Sequence, residues 1–216
     1  MPTPRAAIFD LDGTLLDTLK DLADSANEAL SLAGLPVHPV EAYRVFVGEG
    51  MHVLIQRILP AVRRDDETVA QVLALYRAAY GRRWNLSRPY AGIPETLHEL
   101  SLKPVHLAVL SNKPQKFTEL CIGQLLPGHP FHLVFGQRDH VPRKPDPAGA
   151  LEIAHSFQTP PGECLFIGDT KTDMLTATSA GMRAIGVSWG FRPVEELMEY
   201  GAERVIHHPA ELLELF

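Results

Sequence analysis

Four apolar residues, Ala6-Ala7-Ile8-Phe9, run straight into Asp10-Leu11-Asp12-Gly13-Thr14, and this abrupt change constrains the fold more than any other stretch. An apolar run without polar alternation suits a strand covered on both faces. Pleating puts residues i and i+2 on one side, so Asp10 and Asp12 are expected to lean into one crevice at the strand's C-terminal end. Open α/β sheets bind their ligands there. Two carboxylates held that close repel unless a cation or a shared proton relieves them, and a divalent metal is the simplest relief.

The same kind of apolar run recurs at 105–110, 133–135, 164–167 and 184–187, with a weaker sixth at 204–206. Helical patterns between them read as crossovers, which gives an α/β class with a Rossmann-like doubly wound parallel sheet. The interval 17–89 breaks the rhythm. It carries helical periodicity at 18–32, at 45–59 (interrupted by Gly48 and Gly50) and from Val69 to Tyr80, with no convincing strand. An insert of that length is too long for one crossover. The expectation is therefore a helical cap at 17–89 on a core of 1–16 and 90–216.

Composition narrows the class. The 216 residues carry a formal net charge of −6, which argues against a nucleic-acid partner because phosphate backbones need a basic face. Cys121 and Cys164 lie in apolar surroundings and read as buried hydrophobes rather than a disulfide. No run approaches the ~18 apolar residues of a membrane span, and residues 1–5 show no apolar signal, so no membrane partner and a cytoplasmic location are expected.

Three further polar clusters follow later strands. Ser111-Asn112-Lys113 sets a hydroxyl and backbone N–H groups at a strand end, opening a helix from about Pro114, an arrangement suited to anions. Lys144 stands in Arg143-Lys144-Pro145-Asp146-Pro147. Asp169 and Asp173 follow the buried run 164–167, four apart and so on one side of a starting helical turn. Oxygen-only donors suit Mg²⁺ rather than Zn²⁺. The histidines show no ligand spacing, and His129, His132, His207 and His208 read as solvated surface.

These four clusters, in this order at strand ends, resemble the four motifs of the haloacid dehalogenase-like superfamily, over essentially the whole chain. The insert position resembles that superfamily's helical cap. Val47-Gly48-Glu49-Gly50, Pro89-Tyr90-Ala91-Gly92, Ser111-Asn112-Lys113-Pro114 and Lys144-Pro145-Asp146-Pro147 look most like its phosphoglycolate phosphatases. The resemblance implies a Mg²⁺-dependent hydrolysis of a small phosphorylated metabolite by a monomer or homodimer. Asp10 would be the nucleophile that forms an aspartyl-phosphate, and Asp12 the general acid and base. Asp10, the Asp12 backbone carbonyl, Asp169 and Asp173 would hold the metal, and Lys144 would neutralise charge and hold the nucleophile. Thr14, Ser111 and Asn112 would bind phosphoryl oxygens, and Gly48, Glu49 and Gly50 of the cap would face the substrate.

Other readings stay in view. A phosphomutase resembling β-phosphoglucomutase would use the same residues, and a phospho-sensing module would use a similar set. Asp17 reads as the N-cap of the first cap helix. Lys113 is open between a phosphate ligand and a solvated residue. Trp189-Gly190-Phe191-Arg192 is open between pocket lining and loop packing, and Arg82-Arg83-Trp84 reads as a solvated face with a packing aromatic. Glu49 departs from what a carboxylate-bearing substrate needs if it points inward; Arg44 or His52 would then have to offset it.

Overall fold

The computed structural model describes residues 3–128 and 131–216, so His129 lies outside the described residues. The first strand, β1 (Ala6–Phe9), is wholly buried at the centre of a six-stranded parallel sheet. A two-stranded antiparallel ribbon, β2 (Leu16–Asp17) with β3 (Arg88–Pro89), brackets four helices: α1 (Leu19–Leu32), α2 (Tyr43–Phe46), α3 (Met51–Ile58) and α4 (Asp66–Tyr80). The chain continues through α5 (Ile93–Ser101), β4 (His106–Pro114), α6 (Gln115–Leu125), β5 (Leu133–Gln137) and α7 (Ala148–Ser156). It closes with β6 (Cys164–Gly168), α8 (Lys171–Ser179), β7 (Arg183–Val187), α9 (Val194–Glu199) and β8 (Arg204–Ile206).

The sheet order is β5-β4-β1-β6-β7-β8, every neighbouring pair parallel. Alternate residues of β1 serve opposite faces. Ala7 and Phe9 pack with Ile93, Leu97, Cys121 and Ile122 of α5 and α6, whereas Ala6 and Ile8 pack with Ala150, Ile153, Met174 and Ala177 of α7 and α8. Burial on both faces is why the strand runs are uniformly apolar. The order reverses on either side of β1, so the crevice beyond its C-terminal end is the switch point where such sheets bind ligands.

The helices α1–α4 enclose a hydrophobic cluster of their own, built on Leu22, Ala26, Leu30, Tyr43, Ile55, Val72 and Tyr76. Asp65 caps α4, accepting from the Thr68 N–H at 2.9 Å. Asp17 does not sit at the N-cap of α1; that position is Thr18, and Asp17 ends β2, accepting only a long 3.4 Å bond from the Leu19 N–H. The ribbon claims Asp17 because its partner Arg88 lies opposite. A second difference concerns β4. Extended structure continues through Ser111-Asn112-Lys113 to Pro114, with a register shift after Leu110, so the helix begins only at Gln115.

Both cysteines are free and buried. Among the described residues no helix is long and apolar enough to cross a membrane. His132, His207 and His208 lie at the surface in local bonds and ring contacts.

Candidate active site

Three buried carboxylates from two strand ends converge. Asp10 leaves β1, its N–H donating to the Ile167 carbonyl at 2.9 Å. Asp169 follows β6, and Asp173 lies in the first turn of α8. Each offers an oxygen within 4.8 Å of the other two. The Lys144 ammonium lies among them, 2.8 Å from Asp10 Oδ1 and 2.7 Å from Asp173 Oδ1.

Their surroundings hold these groups in place. The other oxygen of Asp173 accepts from the Thr170 N–H and hydroxyl at 3.1 and 2.7 Å, a capping box that fixes the start of α8. Asp169 accepts from the Thr14 hydroxyl at 2.9 Å and from the Phe191 N–H at 2.8 Å. Two glycines let the chain close on it. A Cβ on Gly13 (φ +91°) would lie 2.3 Å from Asp169 Oδ2, and one on Gly190 would lie 2.2 Å from Asp169 Cβ.

Burial drives the electrostatics. It is the main cause that raises Asp10; with Lys144 opposing and Asp173 and Asp12 adding to the rise, the carboxyl is pushed up to about 7. Asp169 is raised well above the carboxylate range by burial and by Asp173 and Asp10. Burial alone would depress Lys144, but Asp10 and Asp173 more than offset it and hold the ammonium charged. One lysine among three carboxylates leaves negative charge uncompensated, and the donors are all oxygen. That is a fit for a hard divalent cation such as Mg²⁺, which needs carboxylates and retains water.

Asp12 departs from the trio. Its carboxylate turns to Lys113, whose Nζ lies 2.6 and 2.7 Å from its two oxygens. The expected shared crevice does form, since both Asp10 and Asp12 line one cavity, but the side chain of Asp12 is no part of the carboxylate cluster. Strand geometry ends at Phe9, and the turn at Gly13 then re-aims Asp12.

That cavity, of about 50 Å³, opens beside Asp10 and is lined by Ser111, Asn112 and Lys113 on one side and by Gly48 and Gly50 on the other. The Asn112 side chain ties the two sides together. Its amide nitrogen donates to the Gly48 and Lys144 carbonyls, both at 3.0 Å, and its oxygen accepts from the Lys144 N–H at 3.0 Å. Ser111 Oγ accepts from the Lys113 N–H at 3.3 Å and lines the cavity. Thr14 is not at the cavity; its hydroxyl is committed to Asp169. Glu49 is not among the lining residues either, because it pairs with Arg57. Arg44 bonds Glu41 and the Gly190 carbonyl, so neither Glu49 nor an offset for it enters the site.

Two features lay beyond sequence reasoning. Lys113 is neither solvated nor free: its side chain is 2% exposed and paired with Asp12. The segment Trp189-Gly190-Phe191 supports the carboxylate cluster through Asp169, and the Trp189 indole donates to the Thr14 carbonyl at 3.0 Å. Its position after β7, at the same sheet edge, was the available signal.

Residues 7–187 match the family of haloacid dehalogenase-like hydrolases. The chain is 35% identical over 199 residues to the phosphoglycolate phosphatase of Pseudomonas putida KT2440, covering 89% of this chain and 73% of that one. It is 32% identical over 214 residues to phosphoglycolate phosphatase 1 of Pseudomonas aeruginosa PAO1, covering 97% and 79%. Among solved structures, it superposes on a predicted phosphoglycolate phosphatase from Haemophilus somnus with a TM-score of 0.90 at 28% identity, covering 100% of this chain and 99% of that one. A Lactobacillus delbrueckii subsp. bulgaricus structure gives a TM-score of 0.92 at 30% identity, covering 99% and 98%.

Proposed function

The chain belongs to the haloacid dehalogenase-like hydrolases, and from that premise we propose that it is a Mg²⁺-dependent phosphatase of small phosphate monoesters. Phosphoglycolate is the favoured substrate, since the relatives at 32–35% identity carry that name. The observation that carries the reading is the convergence of Asp10, Asp169 and Asp173 within 4.8 Å beside the cavity. Nothing comparable favours the mutase or sensor readings.

Asp10 attacks phosphorus in line, and the P–O bond to the leaving group breaks as the aspartyl-phosphate forms. In the reacting enzyme Asp12 carries a proton, which it gives to the departing oxygen, and the carboxylate left behind takes one from the water that hydrolyses the intermediate. Lys113 fixes the Asp12 carboxylate at the cavity wall. Lys144 bridges Asp10 and Asp173 and so fixes the direction of the nucleophile. Ser111 and the Asn112 N–H face the phosphoryl oxygens from β4. Asp10, the Asp12 carbonyl, Asp169 and Asp173, the last directly or through water, would hold Mg²⁺, which would offset the charge of the carboxylates and the phosphoryl group. Residues 17–89 act as a cap, and the cavity lies between it and the core formed by 1–16 and 90–216.

Release of inorganic phosphate from 2-phosphoglycolate tests this. Turnover should depend on added Mg²⁺, stop with EDTA and vanish in Asp10→Asn. Release that persists in Asp10→Asn would defeat the reading.

A further inference from the structure

The cavity beside Asp10 has a single cationic side chain among its lining residues, Lys113. Lys144 is committed to Asp10 and Asp173. An ammonium carries three donors. Two of those on Lys113 reach the oxygens of Asp12, and among the described residues no other acceptor meets the third. The ring of Tyr80 also lies beneath it, with Nζ 5.0 Å from the centroid. Asp12 is the carboxylate that bonds this lysine, whereas Asp21 interacts with it through charge without bonding it.

The remaining wall is largely apolar, built from Leu22, Val47, Met51 and Leu54, with Tyr76 and Tyr80 adding two rings and their hydroxyls. Two phenol groups give a polyhydroxylated leaving group few partners, and most hydroxyls desolvated there would go unsatisfied. The same low-polarity setting strengthens a single charge pair. Space is also short. A volume of about 50 Å³ holds roughly four water-sized centres, which suits a leaving group of only a few heavy atoms.

We propose that the free donor of Lys113 receives a carboxylate carried by the leaving group, so that the site selects compact phosphate monoesters of hydroxy acids. Lys113 is thus a specificity-determining residue that holds Asp12 and the substrate carboxylate at once. The proposal rests on the phosphatase reading above, yet its binding step can be read without turnover.

The probes are 2-phosphoglycolate and its carboxamide, which keeps the shape and loses the charge. Calorimetric titration into Mg²⁺-loaded Asp10→Asn protein should show the acid binding roughly 10- to 100-fold tighter than the amide, the range expected for one charge-assisted hydrogen bond. Adding Lys113→Gln should abolish that difference, while Lys113→Arg, which keeps the charge, should retain most of it. Equal affinity for acid and amide with Lys113 present would overturn the proposal, as would discrimination that survives Lys113→Gln or binding of neither ester. Steady-state hydrolysis by the unmodified enzyme separates the two readings. Discrimination in binding without phosphate release from either ester would sink the phosphatase and leave the carboxylate site standing.

Discussion

Gly190 packs directly against Asp169: a Cβ on the glycine would stand 2.2 Å from the Cβ of the aspartate. Neither flexible side-chain ends nor open space lies in that direction, so an added methyl must displace Asp169 itself. Gly190→Ala should therefore weaken the half-saturating Mg²⁺ concentration roughly 10- to 100-fold, as loss of support for a metal ligand typically does. The strain should also cost about 1–3 kcal/mol in denaturant unfolding. Mg²⁺ titration of phosphate release, beside urea melts, checks both. An unchanged Mg²⁺ dependence would mean that Asp169 has no part in holding the ion.

Thr14 gives a sharper separation of roles. Its hydroxyl donates to Asp169 Oδ1 at 2.9 Å and does not reach the cavity. Thr14→Val keeps the shape and removes the donor. It should raise the Mg²⁺ requirement about 10-fold or more while leaving KM for the ester, at saturating Mg²⁺, within about twofold. A rise in KM alone would return Thr14 to the phosphate, the role that the family resemblance implies for it.

The contrast shows what the sequence carries. Strand ends that deliver Asp10 and Asp169 are local signals, an apolar run stopped by polar residues, and they read correctly because both faces of the sheet are covered. The β2–β3 ribbon is two residues long on each side and leaves no periodicity to detect. The extension of β4 through Ser111-Asn112-Lys113-Pro114 looks like a loop because it is polar; pairing of Pro114 with Gln137 at the sheet edge makes it strand. The direction of a side chain is less legible still. Asp12 faces Lys113, 101 residues away, and Thr14 faces Asp169, 155 residues away, so neither partner is specified by neighbouring residues.

The raised Asp10 sets a pH dependence whose sign can be worked out. Its value when folded, about 7, lies above the ordinary 3.8, so the folded state favours its proton. Stability from this group is thus full below about 4 and is lost as pH rises through about 7. Asp169 shifts in the same direction. With EDTA present, the protein should unfold at lower urea at pH 8 than at pH 5. Saturating Mg²⁺ should shrink or reverse that gap, because the ion binds the deprotonated carboxylates. Asp10→Asn should flatten the metal-free profile. If the EDTA profile were flat already in the unmodified protein, the buried carboxylates would not be uncompensated.

Glu49 provides the last test, because its sequence position and its structural position point to opposite outcomes. It lies between Gly48 and Gly50, both of which line the cavity, and a carboxylate aimed inward there would repel an anionic substrate. In the fold it instead pairs with Arg57, in the last turn of α3, and the two side chains are each 31% exposed. A half-exposed pair of this kind contributes at most about 1 kcal/mol. Glu49→Gln should therefore leave kcat/KM for 2-phosphoglycolate within about twofold and move the unfolding midpoint only slightly. If Glu49 did face the substrate, removing its charge would raise kcat/KM for the anionic ester while sparing the neutral carboxamide. Measuring both esters with the one variant distinguishes these cases, and an increase confined to the acid would show that the segment 47–51 turns inward when substrate binds.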